Sequence, residues 1–217
     1  TYNKMKKAFP LILLFFTNIL FAQIPCSTGT SLNGADDFIT LVNTDAINLQ
    51  NTRNKTIELW FKTSDITTKQ VLYEEGGTVN AFIIYLEGGR IYLGAYRNDG
   101  TAAADKRFFR SVASVIEEDN WYHVALTLEN TAVSGLTLRW YLNGVLQDTQ
   151  DGLQVNTHSG SITFGRNGDG LRFPDSGTWS ASGGEDSETY NDAFTAGDTT
   201  ALYYSGDISL FRIWDDT

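Results

Sequence analysis

Two clusters of acidic residues come nearest to catalytic chemistry. Glu117-Glu118-Asp119 and Glu185-Asp186-Ser187-Glu188 each crowd carboxyl groups together. A pair of carboxyls flanking one bond is what most glycoside hydrolysis uses. That chemistry needs rigid elements to hold both groups in place. The first cluster precedes a strand without supplying a third acid, and the second sits in a stretch rich in glycine and serine. Both read as solvated charge. His123 and His158 are far apart, and Cys26 is the one cysteine, so a zinc site is not expected. There is no Gly-x-Ser-x-Gly elbow and no His-Glu-x-x-His pair. Nothing in the sequence assembles a catalytic set, and no enzymatic activity is expected.

Residues able to hold a ligand are easier to find. Tyr92, Tyr96, Asn98 and Asp99 fall on one face of a strand and the turn after it. Aromatic rings beside amides and acids offer a flat apolar surface rimmed by hydrogen-bonding groups. Arg166, Asp169 and Trp179 form a second set, at and within a long Gly-rich stretch. Tyrosines at alternate positions are also ordinary residues of an outer sheet face.

The elements that must position these groups are strands. Thr56 to Lys62 alternates, with Ile57, Leu59 and Phe61 on one side and Glu58, Trp60 and Lys62 on the other. Ala81 to Leu86 is a continuous apolar run of strand length. Arg90 to Tyr96, Tyr122 to Leu128 and Leu136 to Leu142 follow, then Ser161 to Gly165 and Asp207 to Trp214. Glu87-Gly88-Gly89 and Asn143-Gly144 mark hairpins, and Asn98-Asp99-Gly100 and Asn167-Gly168 mark further turns. The best short helix candidate, Ser111 to Asp119, has a Val and Ile content that favours a strand. Trp60, Trp121, Trp140 and Trp214 lie in or beside strands, and most should be core residues. Residues 168–200 break the rhythm. A loop this long is functional or disordered as a rule, and its Phe173, Trp179, Tyr190 and Phe194 argue for partial order.

Bulk properties narrow the setting. The chain has 217 residues and a formal net charge of −10, which excludes the basic face that nucleic acid demands. Lys4, Lys6 and Lys7 precede an apolar run from Ala8 to Phe21, and Leu20-Phe21-Ala22 before Gln23 reads as a cleavage site. Residues 1–22 therefore read as upstream residues and a secretory signal peptide starting at Met5, and residues 23–217 as the domain. The expected location is secreted, extracellular or at the cell surface. No membrane insertion is expected once the signal is removed. A single cysteine makes no internal disulfide.

Six phrases, in order, resemble the LamG-like jelly roll of the concanavalin A-like lectin/glucanase superfamily. They are Leu32-Asn33-Gly34-Ala35-Asp36-Asp37-Phe38-Ile39, Thr56-Ile57-Glu58-Leu59-Trp60-Phe61-Lys62 and Trp121-Tyr122-His123-Val124-Ala125-Leu126-Thr127. Next come Leu138-Arg139-Trp140-Tyr141-Leu142-Asn143-Gly144, Ile162-Thr163-Phe164-Gly165-Arg166, and Gly206-Asp207-Ile208-Ser209-Leu210-Phe211-Arg212-Ile213-Trp214. The resemblance implies an all-β antiparallel jelly-roll sandwich of two sheets with adjacent chain ends. It implies a structural calcium where the first and last strands meet, held by Asp36 or Asp37 with Asp207. The spaced Glu-x-Asp-x-x-Glu carboxylates of glucanase relatives are absent here. The expected function is a non-catalytic binding module for carbohydrate. A protein-interaction or adhesion module and a glycosidase-related domain without catalytic acids stand as alternatives. The partner is a carbohydrate or an extracellular protein, and further domains of a longer chain are compatible with the sequence.

Overall fold

The computed structural model describes residues 29–44, 47–48, 54–98, 106–131, 135–153, 157–181, 187–190, 194 and 196–216. The expected signal segment and Cys26 lie outside these residues. The strands are β1 (Thr30–Asn33), β2 (Ile39–Thr40), β3 (Asn54–Thr63), β4 (Gln70–Gly76), β5 (Asn80–Glu87), β6 (Arg90–Arg97) and β7 (Lys106–Ser111). They continue as β8 (Tyr122–Thr131), β9 (Gly135–Leu142), β10 (Val145–Leu153), β11 (Ser161–Phe164), β12 (Trp179–Ala181), β13 (Ser187–Tyr190) and β14 (Ser205–Asp216). Among the described residues, no helix is long and apolar enough to cross a membrane.

The strands form two antiparallel sheets. One runs β1-β14-β3-β8-β9-β10 and the other β12-β13-β7-β6-β5-β4-β11-β2. First and last strands pair, Thr30 opposite Ile208, so the two ends of the domain meet as the resemblance implied. The β5–β6 hairpin turns through Gly88 and Gly89, both with positive φ (59° and 70°). The β9–β10 hairpin turns through Asn143 (50°) and Gly144 (78°) in the same way. Two-residue turns of this hand match the twist of the strands they join.

Alternation fills the space between the sheets. Ile57, Leu59 and Phe61 of β3 bury beside Val124, Leu126 and Leu128 of β8 and Leu138, Trp140 and Leu142 of β9. Phe82, Ile84 and Leu86 of β5 and Ile91, Leu93 and Ala95 of β6 meet them from the other sheet. The continuous apolar run of β5 now has its reason. Its other face, Ala81, Ile83 and Tyr85, is buried too, in a second cluster on the outer side. A strand covered on both faces has no polar side. The core also holds ions. Lys55 of β3 and Glu75 of β4 pair between the sheets. The Tyr73 hydroxyl donates to Glu75 at 2.6 Å, and the Lys55 Nζ donates to the Ile47 carbonyl at 2.8 Å.

The opening phrase is divided between two strands: β1 and β2 flank an exposed turn at Gly34–Asp37, held by the Asn33 carboxamide. Two expectations need correction. Residues 112–119 form bends and turns, neither helix nor strand. Of the four tryptophans, only Trp140 is sealed in the core. Trp60 and Trp121 are half-buried and Trp214 is 57% exposed. Trp60 and Trp214 pair with outward positions of the six-stranded sheet, where Thr56, Glu58 and His123 are also only half-buried.

Candidate functional site

The outer face of the eight-stranded sheet carries Tyr85, Tyr92, Tyr96 and Phe108. Left bare, this would be a broad apolar patch, and a protein surface rarely leaves one that large open. The segment after β11 covers most of it. Leu171, Phe173 and Tyr190 bury against these rings, and Trp179, Phe194 and Leu202 are partly buried there. The isolated aromatics of the Gly-rich stretch thus make a second core between loop and sheet.

Polar bonds fix the loop at its base. The Tyr96 hydroxyl donates to the Gly77 carbonyl at 2.6 Å and accepts the Arg172 backbone N–H at 3.1 Å. The Asn167 carboxamide donates to the Asp198 and Thr200 carbonyls, and the Asp198 N–H donates to the Leu171 carbonyl at 2.7 Å. Further along, β12 and β13 extend the sheet beyond β7. Buried Glu74 accepts the Thr163 hydroxyl at 2.9 Å and the Gly168 N–H at 2.7 Å. Burial pushes its carboxyl up to about 7, and Asp169 adds to the rise.

This cover has an opening. It is a cavity of about 280 Å³ lined by Lys69, Tyr85, Glu87, Tyr92, Arg110, Pro174, Asp175, Ser176 and Trp179. Tyr85 and Tyr92 stack with ring centres 4.5 Å apart and planes 10° from parallel. Trp179 meets Tyr92 edge-on at 5.7 Å, and the Arg110 guanidinium lies 4.9 Å above the Trp179 ring. Arg110 Nε donates to the Glu188 carboxylate, and Arg90 Nη1 lies 3.6 Å from the same group. Lys69 Nζ is 3.4 Å from Glu87 and 4.6 Å from the centre of the Phe173 ring. Burial, with Glu87 next, pushes the Tyr92 hydroxyl above its ordinary range, so it stays a neutral donor. The cleft therefore offers aromatic walls with both donors and acceptors at its rim.

The two ligand sets read from the sequence are regrouped here. Tyr92 from the first and Trp179 from the second come together in the cleft. Tyr96 does not face a ligand: it is 0% exposed and serves as a loop anchor. Asn98 is half-buried and its backbone N–H donates to the Val79 carbonyl at 2.6 Å. Asp99 lies outside the described residues. Arg166 stacks on Phe38 at 3.7 Å, away from the cleft lining, and Asp169 accepts the Ser161 N–H. Sequence reasoning missed Lys69, Tyr85, Glu87, Arg110 and Asp175, and it read Glu188 as solvated charge where Arg110 and Arg90 pair with it. Arg110 was hidden because β7 follows a polar and small-residue stretch and carries no alternation. Tyr85 was hidden inside an apolar run.

The acids of the metal expectation are separated in role. Asp207 accepts the Ser31 hydroxyl and faces Lys62 Nζ at 2.8 Å, and these two partners hold its carboxyl below the usual range. Asp36 accepts the Asn33 amide at 2.7 Å, in the exposed turn with Asp37. Among the described residues no three His, Cys, Asp or Glu side chains gather into a metal-binding group. Of the acid clusters, Glu117 accepts the Asn120 carboxamide at 3.0 Å on the surface, while Glu185 and Asp186 lie outside the described residues.

A second polar cluster sits on the outer face of the six-stranded sheet. Glu58 receives His123 Nε2, Arg212 Nη1 and Trp214 Nε1, each at 3.1 Å. Burial pushes the Glu58 carboxyl up, but these three bonds outweigh it and hold it below the ordinary value. A carboxylate so held is a poor proton donor.

The sequence model of the concanavalin A-like lectin/glucanases superfamily, Laminin_G_3, matches residues 33–178. No curated protein matches the chain. Among solved structures, the CBM40 domain of the Ruminococcus gnavus IT-sialidase, bound to α2,3 sialyllactose, is similar at TM-score 0.55 and 14% identity. That alignment covers 86% of this chain and 88% of that one. Domains LG4-5 of the mouse laminin α1 chain align at TM-score 0.54 and 14% identity, over 85% of this chain and 40% of theirs. The heptameric SAP-like pentraxin of Limulus polyphemus aligns at TM-score 0.50 and 17% identity, over 85% and 74%. At these identities the likeness is one of fold.

Proposed function

The chain belongs to the concanavalin A-like lectin/glucanase superfamily, and from that premise we propose that it is a secreted, non-catalytic module that recognises carbohydrate in the cleft between Tyr92, Arg110 and Trp179. One observation carries the reading. Among the described residues, the loop buries aromatic rings of the outer sheet face and borders a cavity with aromatic walls and a charged, hydrogen-bonding rim. Sugars present apolar C–H faces and polar hydroxyls on the same ring, and such a wall-and-rim arrangement suits both. The CBM40 domain captured with sialyllactose shares the fold. The test is binding to immobilised glycans by wild type, Trp179→Ala and Trp214→Ala. Loss in the first variant alone supports the cleft. Loss in the Trp214 variant alone moves the site to the outer face of the other sheet.

That face supports the second reading, a protein-interaction or adhesion module. Trp214 exposes an indole ring beside the Glu58 cluster, and aromatic side chains of this kind anchor protein interfaces. The laminin LG4-5 domains have the same fold.

A structural calcium is part of the proposal, at a different place from the one the sequence suggested. Asp207 is occupied by Lys62, and a cation there would have to displace an ammonium group. Glu74 and Asp169 fit better by donor chemistry. Glu74 Oε2 is buried without a hydrogen-bond partner, and calcium takes carboxylate oxygens of this kind. Bound there, the ion would tie the start of the long loop to β4. Calcium then raises the melting temperature of wild type, and Glu74→Gln abolishes the rise. No rise in millimolar calcium rejects this part of the proposal.

A further inference from the structure

We infer that the cleft takes a neutral sugar at the end of a glycan chain, excluding acidic sugars and the interior of long polysaccharides. This rests on the carbohydrate reading above and specifies its ligand.

Charge is the first argument. Among the described residues, the cations around the cleft are Lys69, Arg90 and Arg110, and the anions are Glu87, Glu188 and Asp175. Arg110 and Arg90 share Glu188, and Lys69 faces Glu87. Recognition of a carboxylate draws on a guanidinium free to offer its two-pronged edge. Here Arg110 already bonds Glu188 through Nε and the Tyr92 hydroxyl as well, and its guanidinium lies over Trp179. An acidic sugar would have to displace a carboxylate and approach Asp175. It would also bring its charge to a chain of net charge −10. A neutral hydroxyl suffers none of this. It can donate to a carboxylate and accept from a guanidinium at once, and such charge-assisted bonds are the stronger kind.

Size and shape are the second. A cavity of about 280 Å³ lies at the lower limit of ligand pockets, which span roughly 300–1,000 Å³. Pro174, Asp175 and Ser176 line it together with Tyr85 and Tyr92, and Tyr85 is buried and stacked on Tyr92. The space suits one or two rings entering from one end. A polysaccharide interior needs a groove open at both ends.

The test is calorimetric titration of the folded protein with two matched series. The first is neutral oligosaccharides of increasing length sharing one terminal residue. The second is their sialylated or uronate-capped counterparts, at low and high salt. The expected result is binding of neutral chains, with molar affinity constant within about twofold beyond the disaccharide, since each chain has one such end. A tenfold rise in salt changes affinity by less than about threefold, as no net charge is paired. Trp179→Ala, shown folded by its near-ultraviolet spectrum, lowers affinity by about tenfold or more. Tighter binding of the acidic series, or affinity that climbs with chain length, overturns this inference and leaves the carbohydrate reading standing. Binding of no glycan by folded protein overturns both.

Discussion

Replacing Tyr96 by phenylalanine separates the two roles that a buried tyrosine near a ligand cleft could have. The substitution keeps the ring, with its contacts to Phe108 and Phe194, and removes only the hydroxyl. Two bonds are lost: donation to the Gly77 carbonyl, and acceptance of the Arg172 N–H. Each such bond is worth about 0.5–1.5 kcal/mol net, so the loop's attachment weakens by about 1–3 kcal/mol. If the loop opens locally, without global unfolding, its open population rises about 5- to 150-fold. The assay is proteolytic cleavage within residues 168–200, under conditions where closing outruns cutting, so that the rate follows the open population. Cleavage should accelerate in that range, while glycan affinity falls only by the small fraction of molecules whose loop is open. Unchanged cleavage would show that Tyr96 does not hold the loop. Complete loss of binding with normal cleavage would place its hydroxyl in the ligand site after all.

Other consequences are as direct. Lys55→Ala leaves Glu75 buried between the sheets with His158 at 2.9 Å but without its lysine and costs about 3–5 kcal/mol in urea unfolding. The paired change Lys55→Met with Glu75→Leu costs far less or stabilises; equal losses in both variants would show that packing and not charge carries the effect. Asp65 should contribute to acid stability. Burial pushes its carboxyl up, but the Thr68 and Thr67 hydroxyls and backbone N–H groups outweigh that and bring it to about 2. Its folded value is thus below its unfolded one, so its contribution is full above about pH 4 and fades as pH falls toward about 2. Urea midpoints of wild type and Asp65→Asn should converge over that window, and parallel curves would contradict the assignment.

How much of this was legible follows from which physical signals reach the sequence. Alternation in β3, β6, β8 and β9 is a local signal, and the strands and hairpins followed from it, while the two-sheet jelly roll came with the family resemblance. β4 was not legible, because a bulge between Val71 and Tyr73 turns consecutive residues inward and erases the period. The cleft was half legible. Tyr92 and Trp179 are aromatics with no place in the main core, which marked them. Their meeting depends on where residues 168–200 fold back, a long-range event with no local trace. The same fold-back turned Tyr96 from an outer-face residue into a sealed one. Trp214 misled for the opposite reason: a tryptophan in a strand predicts burial, but this one stands on the outer side of its sheet and is 57% exposed.

The central claim is the location of the ligand. Amide and indole chemical-shift mapping by NMR, during titration with a neutral oligosaccharide that the protein binds, tests it most directly. The account predicts that the largest shifts fall on Tyr92, Arg110, Asp175 and Trp179, with Glu58, His123 and Trp214 unmoved. Shifts concentrated on the latter three, with the cleft residues silent, would contradict it.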